Sequence, residues 1–203
     1  QLQKIVSTAE ALGLPLPALV QCQYSLLCRP IEWEVLHCCA ENGISFLPWS
    51  PLKGGWLTGK FKRDAAPDPN TRVGAVSSGA QKKLQSHPSY DQFGSNPRTW
   101  ALLDAMHETA AAHDDASVPQ VAVNWLLTRP MVASVIIGPR TLAHFEDLAA
   151  AARWQLDEAE AQRLTALSDV AVPYPWEMVW RCSARGGPRL DGEKWPLPAG
   201  GKL

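Results

Sequence analysis

The densest run of chemistry-bearing residues in this chain is Trp49-Ser50-Pro51-Leu52-Lys53-Gly54-Gly55-Trp56-Leu57-Thr58-Gly59-Lys60. It supplies an aromatic plate (Trp49), a hydroxyl (Ser50), backbone N–H groups left approachable by Gly54 and Gly55, and a cation (Lys60). Those are the parts needed to stack a flat ring and hold a phosphate. By residue type alone the same run is also the make-up of a plain Gly/Pro/Ser loop with Trp49 in the core. A second candidate is Gly138-Pro139-Arg140-Thr141, between an apolar β-branched run and a helical pattern. Helix-entrance N–H groups favour an anion there, and Arg140 can clasp a phosphate; equally, an Arg after a Gly-Pro turn can be a solvated surface residue. The glycine pattern is not G-x-G-x-x-G, and there is no P-loop and no nucleophile elbow. His37-Cys38-Cys39 cannot converge on one ion from a helix, where successive residues point about 100° apart, and reads as core packing. His87, His107, His113 and His144 lack spaced carboxylate or Cys partners, so no metal site is expected.

These residues need elements to hold them. Leu2, Ile5, Val6, Ala9 and Leu12 recur at helical spacing over residues 1–12, and Gly13 with two prolines ends the helix. Residues 19–24 are short and apolar enough for a strand. Residues 31–42 again read as a helix closed by Gly43, and residues 44–49 as a second strand. Helix–strand–helix–strand with tight connections is the grammar of an α/β protein with a parallel sheet. Residues 50–96 read as a long irregular loop, of the kind that is usually functional. Helices are expected from Asn96-Pro97 to 112, from the capping-box pattern Ser117-Val118-Pro119-Gln120 to 128, over 141–151, and from Asp157 to 168. Residues 132–137 form the third expected strand. Three parallel strands cannot stand with both faces bare, so the pattern is that of part of a barrel or open sheet.

The 203 residues are 46% hydrophobic and 19% charged, the profile of an ordinary globular domain. A net charge of −1 removes the electrostatic footprint of a nucleic-acid binder. No apolar run approaches the roughly 20 residues that span a bilayer, so membrane insertion is not expected. The cysteines, Cys22, Cys28, Cys38, Cys39 and Cys182, are odd in number and irregularly spaced. That argues against a disulfide framework and for a reducing compartment, the cytoplasm. The chain starts at Gln1 inside a helical pattern, which reads as a piece of something longer.

Taken together these segments resemble the aldo-keto reductase superfamily, NADPH-dependent oxidoreductases built as (β/α)8 TIM barrels, and most nearly the branch of the potassium-channel β-subunits. The residues that carry the resemblance are Val20-Gln21-Cys22-Gln23-Tyr24-Ser25-Leu26-Leu27-Cys28-Arg29 with Glu32 and Glu34, Gly43-Ile44, Trp49 to Leu52, Leu57 to Lys60, and Ile136-Ile137-Gly138-Pro139-Arg140-Thr141. It covers residues 1–168, with 169–203 a divergent C-terminal tail. It implies an α/β fold, the C-terminal part of the barrel with about strands 6–8 and their helices, and NADP(H) as cofactor. Gln21 would bond the nicotinamide carboxamide and Trp49 would stack on the ring. Ser50, Pro51, Leu52 and Gly54 would wrap the pyrophosphate, with Lys60 and Arg72 closing over it. Ile136, Gly138, Arg140, His144 and Asp147 would hold the adenosine half. Arg140 would meet the 2′-phosphate, since a guanidinium fork matches phosphate geometry.

The sequence departs from that pattern in two places. Leu148 follows Asp147 where the family has Asn, removing one adenine hydrogen bond worth about 1 kcal/mol. His144 stands for a usual Arg or Gln. The family's catalytic Asp, Tyr, Lys and His belong to the first half of the barrel, upstream of Gln1, and Tyr24, Tyr90 and Tyr174 do not sit in that context. The expectation is therefore a fragment of an enzyme that reduces aldehydes or ketones to alcohols, inactive alone for want of its general acid. The rival is a truncated, non-catalytic nucleotide-binding or interaction module, with a protein partner or a second copy at the open barrel edges.

Overall fold

The computed structural model describes residues 1–63, 65–79, 88–114, 116–169 and 171–179. His87, Cys182 and most of the expected tail lie outside them.

Two strands form a parallel pair, β1 (Leu19–Gln23) with β2 (Ser45–Trp49), in the register Leu19↔Ser45, Gln21↔Leu47, Gln23↔Trp49. Side chains alternate across a strand, so Val20, Cys22 and Phe46 face one way while Leu19, Gln21, Leu47 and Trp49 face the other. The first face is covered. Phe46 is fully buried, and Val20 and Cys22 pack with it against Tyr24, Leu102, Met106, Val121, Trp125 and Leu164. The second face keeps Leu19, Gln21 and Trp49 exposed.

The expected third strand is present only in part. Residues 132–137 meet β2 through two parallel bridges, Phe46↔Val132 and Trp49↔Ile136. Three steps along β2 thus match four along this run, an extra residue that interrupts the ladder as a bulge does. Its effect is to seat Ile136, and not Val135, beside Trp49.

The helices carry the rest. α1 (Leu2–Ala11) buries Val6 against Cys39 and Ile44. The helix expected over 31–42 is split into a 3-10 turn at Pro30–Trp33 and α2 (Val35–Glu41). Residues 50–96 are not the irregular loop the composition suggests. They contain a 3-10 segment at Lys53–Thr58, then α3 (Arg72–Ser77) and α4 (Asp91–Gly94). What folds them is an aromatic cluster: Trp56 is 0% exposed, and its ring lies 5.0 to 6.2 Å from those of Phe61, Tyr90, Phe93 and Trp100.

α5 (Pro97–Ala112), α6 (Val118–Leu127) and α8 (Glu158–Leu167) pack together over the covered face. Their starts follow cap chemistry: Asn96 accepts from Arg98 N–H, and Asp157 and Glu160 form the reciprocal capping box. At α6 only half of the expected box exists. Ser117 accepts from Gln120 N–H, but the Gln120 amide turns away to Asp147. α7 (Leu142–Ala150), capped by Thr141, continues into a 3-10 turn at Ala151–Arg153. Beyond α8 the expected irregular tail opens on a helical turn at 176–179.

Candidate functional site

Strand alternation and register decide where the first site residues stand. Gln21 on β1 and Trp49 at the C-terminal end of β2 share the open face, and Trp49 is 44% exposed. Trp49 is therefore not a core residue. Ile136, carried there by the extra residue, is its exposed neighbour on the other side. The Gln21 side chain has no hydrogen bond to a described residue.

Directly after Trp49 the backbone enters the left-handed region at Ser50 (φ 59°) and Lys53 (φ 46°), then at Gly54 and Gly55 (φ 67° and 107°). Such angles cost a residue with a Cβ about 1 kcal/mol or more, and they persist because the surroundings fix them. Lys53 N–H donates to the Ser50 carbonyl, and Gly55 and Leu57 N–H donate to that of Leu52. Pro51 is buried, and Leu52 packs against the core. Behind Gly54, a Cβ would press to 3.1 Å from the Pro88 ring. The turn is thus packed against Pro88 at Gly54.

The Lys60 Nζ lies 3.8 Å from where a Gly55 Cβ would stand, so the ammonium reaches back over the turn. Burial pushes its pKa down, the positive charge of Arg140 pushes it further, Asp68 opposes, and Arg72 adds to the lowering. Lys60, at the end of the turn, therefore feels positive charge from two other segments, the first residue of α3 and the turn before α7. Among the described residues none of the three cations is in an ion pair. Like charges near one another repel, and an anion beside Lys60 would relieve that repulsion. At the same end of the sheet, Gly138 is exposed, with nothing within 4 Å of its missing Cβ.

The remaining two residues behave differently. His144 lies exposed in the first turn of α7, its N–H on Thr141 Oγ1. The Asp147 carboxylate accepts from Gln120 Nε2 at 2.8 Å, and Gln120 Oε1 accepts from Trp154 Nε1 at 3.0 Å. Asp147 is thus also a brace between α7 and α6.

A second charge cluster was legible only as a motif. Arg29 is 1% exposed, and its guanidinium donates through Nε and Nη2 to the two Glu32 oxygens at 2.9 and 2.8 Å. Its third nitrogen donates to the Thr165 carbonyl and to Ser168 Oγ. Tyr24 donates to Glu32 at 2.6 Å and accepts from Arg129 Nε at 3.0 Å. Burial raises the Tyr24 phenol, and the Glu32 carboxylate raises it further. Bonded this way on the covered face, Tyr24 holds helices in place. Cys39 is equally inert: burial, with Cys38 and Cys22 nearby, pushes its thiol up to about 11. No group of three His, Cys, Asp or Glu able to hold a metal occurs among the described residues. No helix there is long and apolar enough to cross a membrane.

Comparison with known proteins gives these features a context. The model of the aldo/keto reductase family matches residues 1–169. The chloroplastic pyridoxal reductase of Arabidopsis thaliana is 33% identical over 166 residues, 81% of this chain and 40% of that protein. The NADH-specific methylglyoxal reductase of Escherichia coli (strain K12) is 26% identical over 151 residues, 74% of this chain and 42% of that protein. A probable voltage-gated potassium channel subunit beta of Arabidopsis thaliana is 29% identical over 140 residues, 68% of this chain and 39% of that protein. The chain spans less than half the length of the curated relatives it matches.

Proposed function

The chain belongs to the aldo/keto reductase family, and from that premise we propose that it is the C-terminal half of an NADPH-dependent reductase barrel, about strands 6–8, occupying residues 1–168. The intact protein reduces aldehydes or ketones to alcohols, and this half holds the dinucleotide. The observation that carries the reading is that Lys60 Nζ reaches back over the Gly54-Gly55 turn, 3.8 Å from where a Gly55 Cβ would stand, directly after a strand end where Trp49 stands exposed. Both requirements of a dinucleotide are thereby met at one end of the sheet: a flat ring surface and unpaired positive charge.

The bound nicotinamide would supply the hydride, and the rest is done by residues of this chain. Gln21 and Trp49 share a face, so an amide and an indole plane can orient one ring from side and face. Ile136 closes the other flank. The turn Ser50, Pro51, Leu52 and Gly54 presents backbone to the pyrophosphate, with Lys60 and Arg72 neutralising it. Gly138 allows close approach, and Arg140 with exposed His144 meets the adenosine end, where Arg140 selects the 2′-phosphate. Asp147, braced by Gln120, contributes through α7 position and its second oxygen. Among the described residues none stands as a general acid at this face, so the chain alone is expected to be silent in turnover.

Protein fluorescence during NADPH and NADH titrations tests this reading. Saturable quenching is expected, largely lost in Trp49→Phe and weakened for NADPH above NADH in Arg140→Ala. A folded chain with no saturable response to either dinucleotide would refute it. The channel-subunit relative favours a second reading, a non-catalytic nucleotide-binding module with a protein partner; it predicts the same binding but no gain of turnover when the N-terminal half is supplied.

A further inference from the structure

Between α6 and α7 a buried amide is held by two partners of opposite kind. Gln120 is 5% exposed; its Oε1 accepts from Trp154 Nε1 at 3.0 Å, and its Nε2 donates to Asp147 Oδ1 at 2.8 Å. An indole N–H can only donate. Trp154 therefore dictates which end of the amide is oxygen and leaves the NH2 end for the carboxylate. Trp154 is itself secured. Its carbonyl accepts from the buried Asn124 Nδ2 at 2.7 Å, and the His113 ring, tied to Glu160 at 2.9 Å, lies 4.4 Å from the indole. This chain of contacts ends on Asp147 Oδ1. Among the described residues Oδ2 has no hydrogen bond, and Asp147 is partly exposed, one turn after the exposed His144. The next residue, Leu148, is buried with Val123 and Ala151 and offers no second polar contact. A carboxylate fixed by one oxygen and open at the other is an acceptor aimed outward. Such a group rewards a donor and rejects another acceptor, which would leave both unpaired.

We propose that Gln120 is a positioning residue for base selection: anchored by Trp154, it presents the open oxygen of Asp147 to the base of a bound dinucleotide, where it accepts from an exocyclic amine. A base with an amine is thereby preferred to one with a keto oxygen at the same place. The amine makes a charge-assisted hydrogen bond with the carboxylate, whereas the keto oxygen is repelled by it. Gln120 does not touch the dinucleotide and acts only through Asp147. The inference rests on the dinucleotide reading proposed above and adds to it how the adenosine end selects its base.

The test titrates the 203-residue chain with NADPH and with its hypoxanthine analogue, which carries a keto oxygen in place of the amine. Calorimetry reads the ratio of the two affinities. The parent chain is expected to favour NADPH about tenfold, as one charge-assisted hydrogen bond would. Asp147→Ala and Gln120→Met should both bring that ratio close to one, the second with Asp147 still in place. Trp154→Phe releases the amide without removing it and should lower the ratio part of the way; it decides the matter if Gln120→Met does not fold. A Gln120 that merely braced the helices would weaken both dinucleotides alike and leave the ratio at its parent value. That result, or a parent chain with no preference, overturns the inference while NADPH binding stands. A folded parent chain that binds neither dinucleotide removes the dinucleotide reading, and base selection with it.

Discussion

Two clusters of charge in this chain are built in opposite ways. Around Arg29 every charge is answered: a bidentate carboxylate, a phenol, a helix-end carbonyl and a hydroxyl converge in a nearly dry space on the helix-covered side. Lys60 instead feels added positive charge from Arg140 and Arg72, opposed by Asp68, and among the described residues none of these three cations is in an ion pair. The first arrangement satisfies itself and can only hold the fold. The second is costly as it stands and becomes favourable when an anion arrives. Pairing, more than the number of charges, distinguishes a structural cluster from a binding one.

Substitutions should separate the two regions cleanly, beginning with the largest effect. Arg29→Ala takes the bidentate partner from the nearly buried Glu32, leaving it Tyr24 and a longer pairing with Arg129, and should cost about 3 kcal/mol in urea unfolding. The double change Arg29→Met with Glu32→Leu should recover part of that loss, because no buried charge is left alone at the pair itself. NADPH affinity of whatever remains folded should not move. Arg140→Ala inverts the pattern: stability within about 0.5 kcal/mol of the parent, and NADPH weakened about tenfold to a hundredfold by calorimetry, the loss expected for a charge-assisted hydrogen bond. Should Arg140→Ala instead unfold the chain, the two clusters are not different in kind.

Trp49→Ala should cost binding only a few-fold, since ring stacking adds about 0.5–1.5 kcal/mol. Its thermal midpoint should barely change, as the indole is already half in water. The smallest effect is one of pH. The Tyr24 phenol is raised above its ordinary value of 10.0 when folded. The stability it contributes is then fully present below that value and is lost as pH rises through the folded value. Urea midpoints measured between pH 9 and 11 should fall more steeply for the parent chain than for Tyr24→Phe. Tyr24→Phe itself should begin about 1 kcal/mol lower at neutral pH.

Much of this organisation is legible in the residues themselves. The helix starts at Asn96, Ser117, Thr141 and Asp157 follow from local cap chemistry, which needs only neighbours in sequence. The parallel strands follow from their spacing. What escaped was tertiary. Residues 50–96 read as irregular because Gly, Pro and Ser dominate the composition, while five aromatics scattered over 45 positions meet only in space. Trp56, Phe61, Tyr90, Phe93 and Trp100 were the available signal. The third strand was expected whole, because nothing in an apolar run announces that it carries one residue more than its neighbour. Tyr24, Arg29 and Glu32 were visible as a motif, but their partners Arg129, Thr165 and Ser168 lie more than a hundred residues away. Asp147 could not be seen as a brace, since its tie to Gln120 depends on how α6 and α7 cross.

The most direct measurement is hydrogen–deuterium exchange of the folded chain with and without saturating NADPH, resolved by peptide. Slowing should be confined to residues 49–60, the start of α3 around Arg72, and residues 136–147, while the helices over the covered face exchange as before. No slowing in those three segments, or slowing centred on the Arg29 cluster, would show that the open edge of the sheet does not hold the dinucleotide.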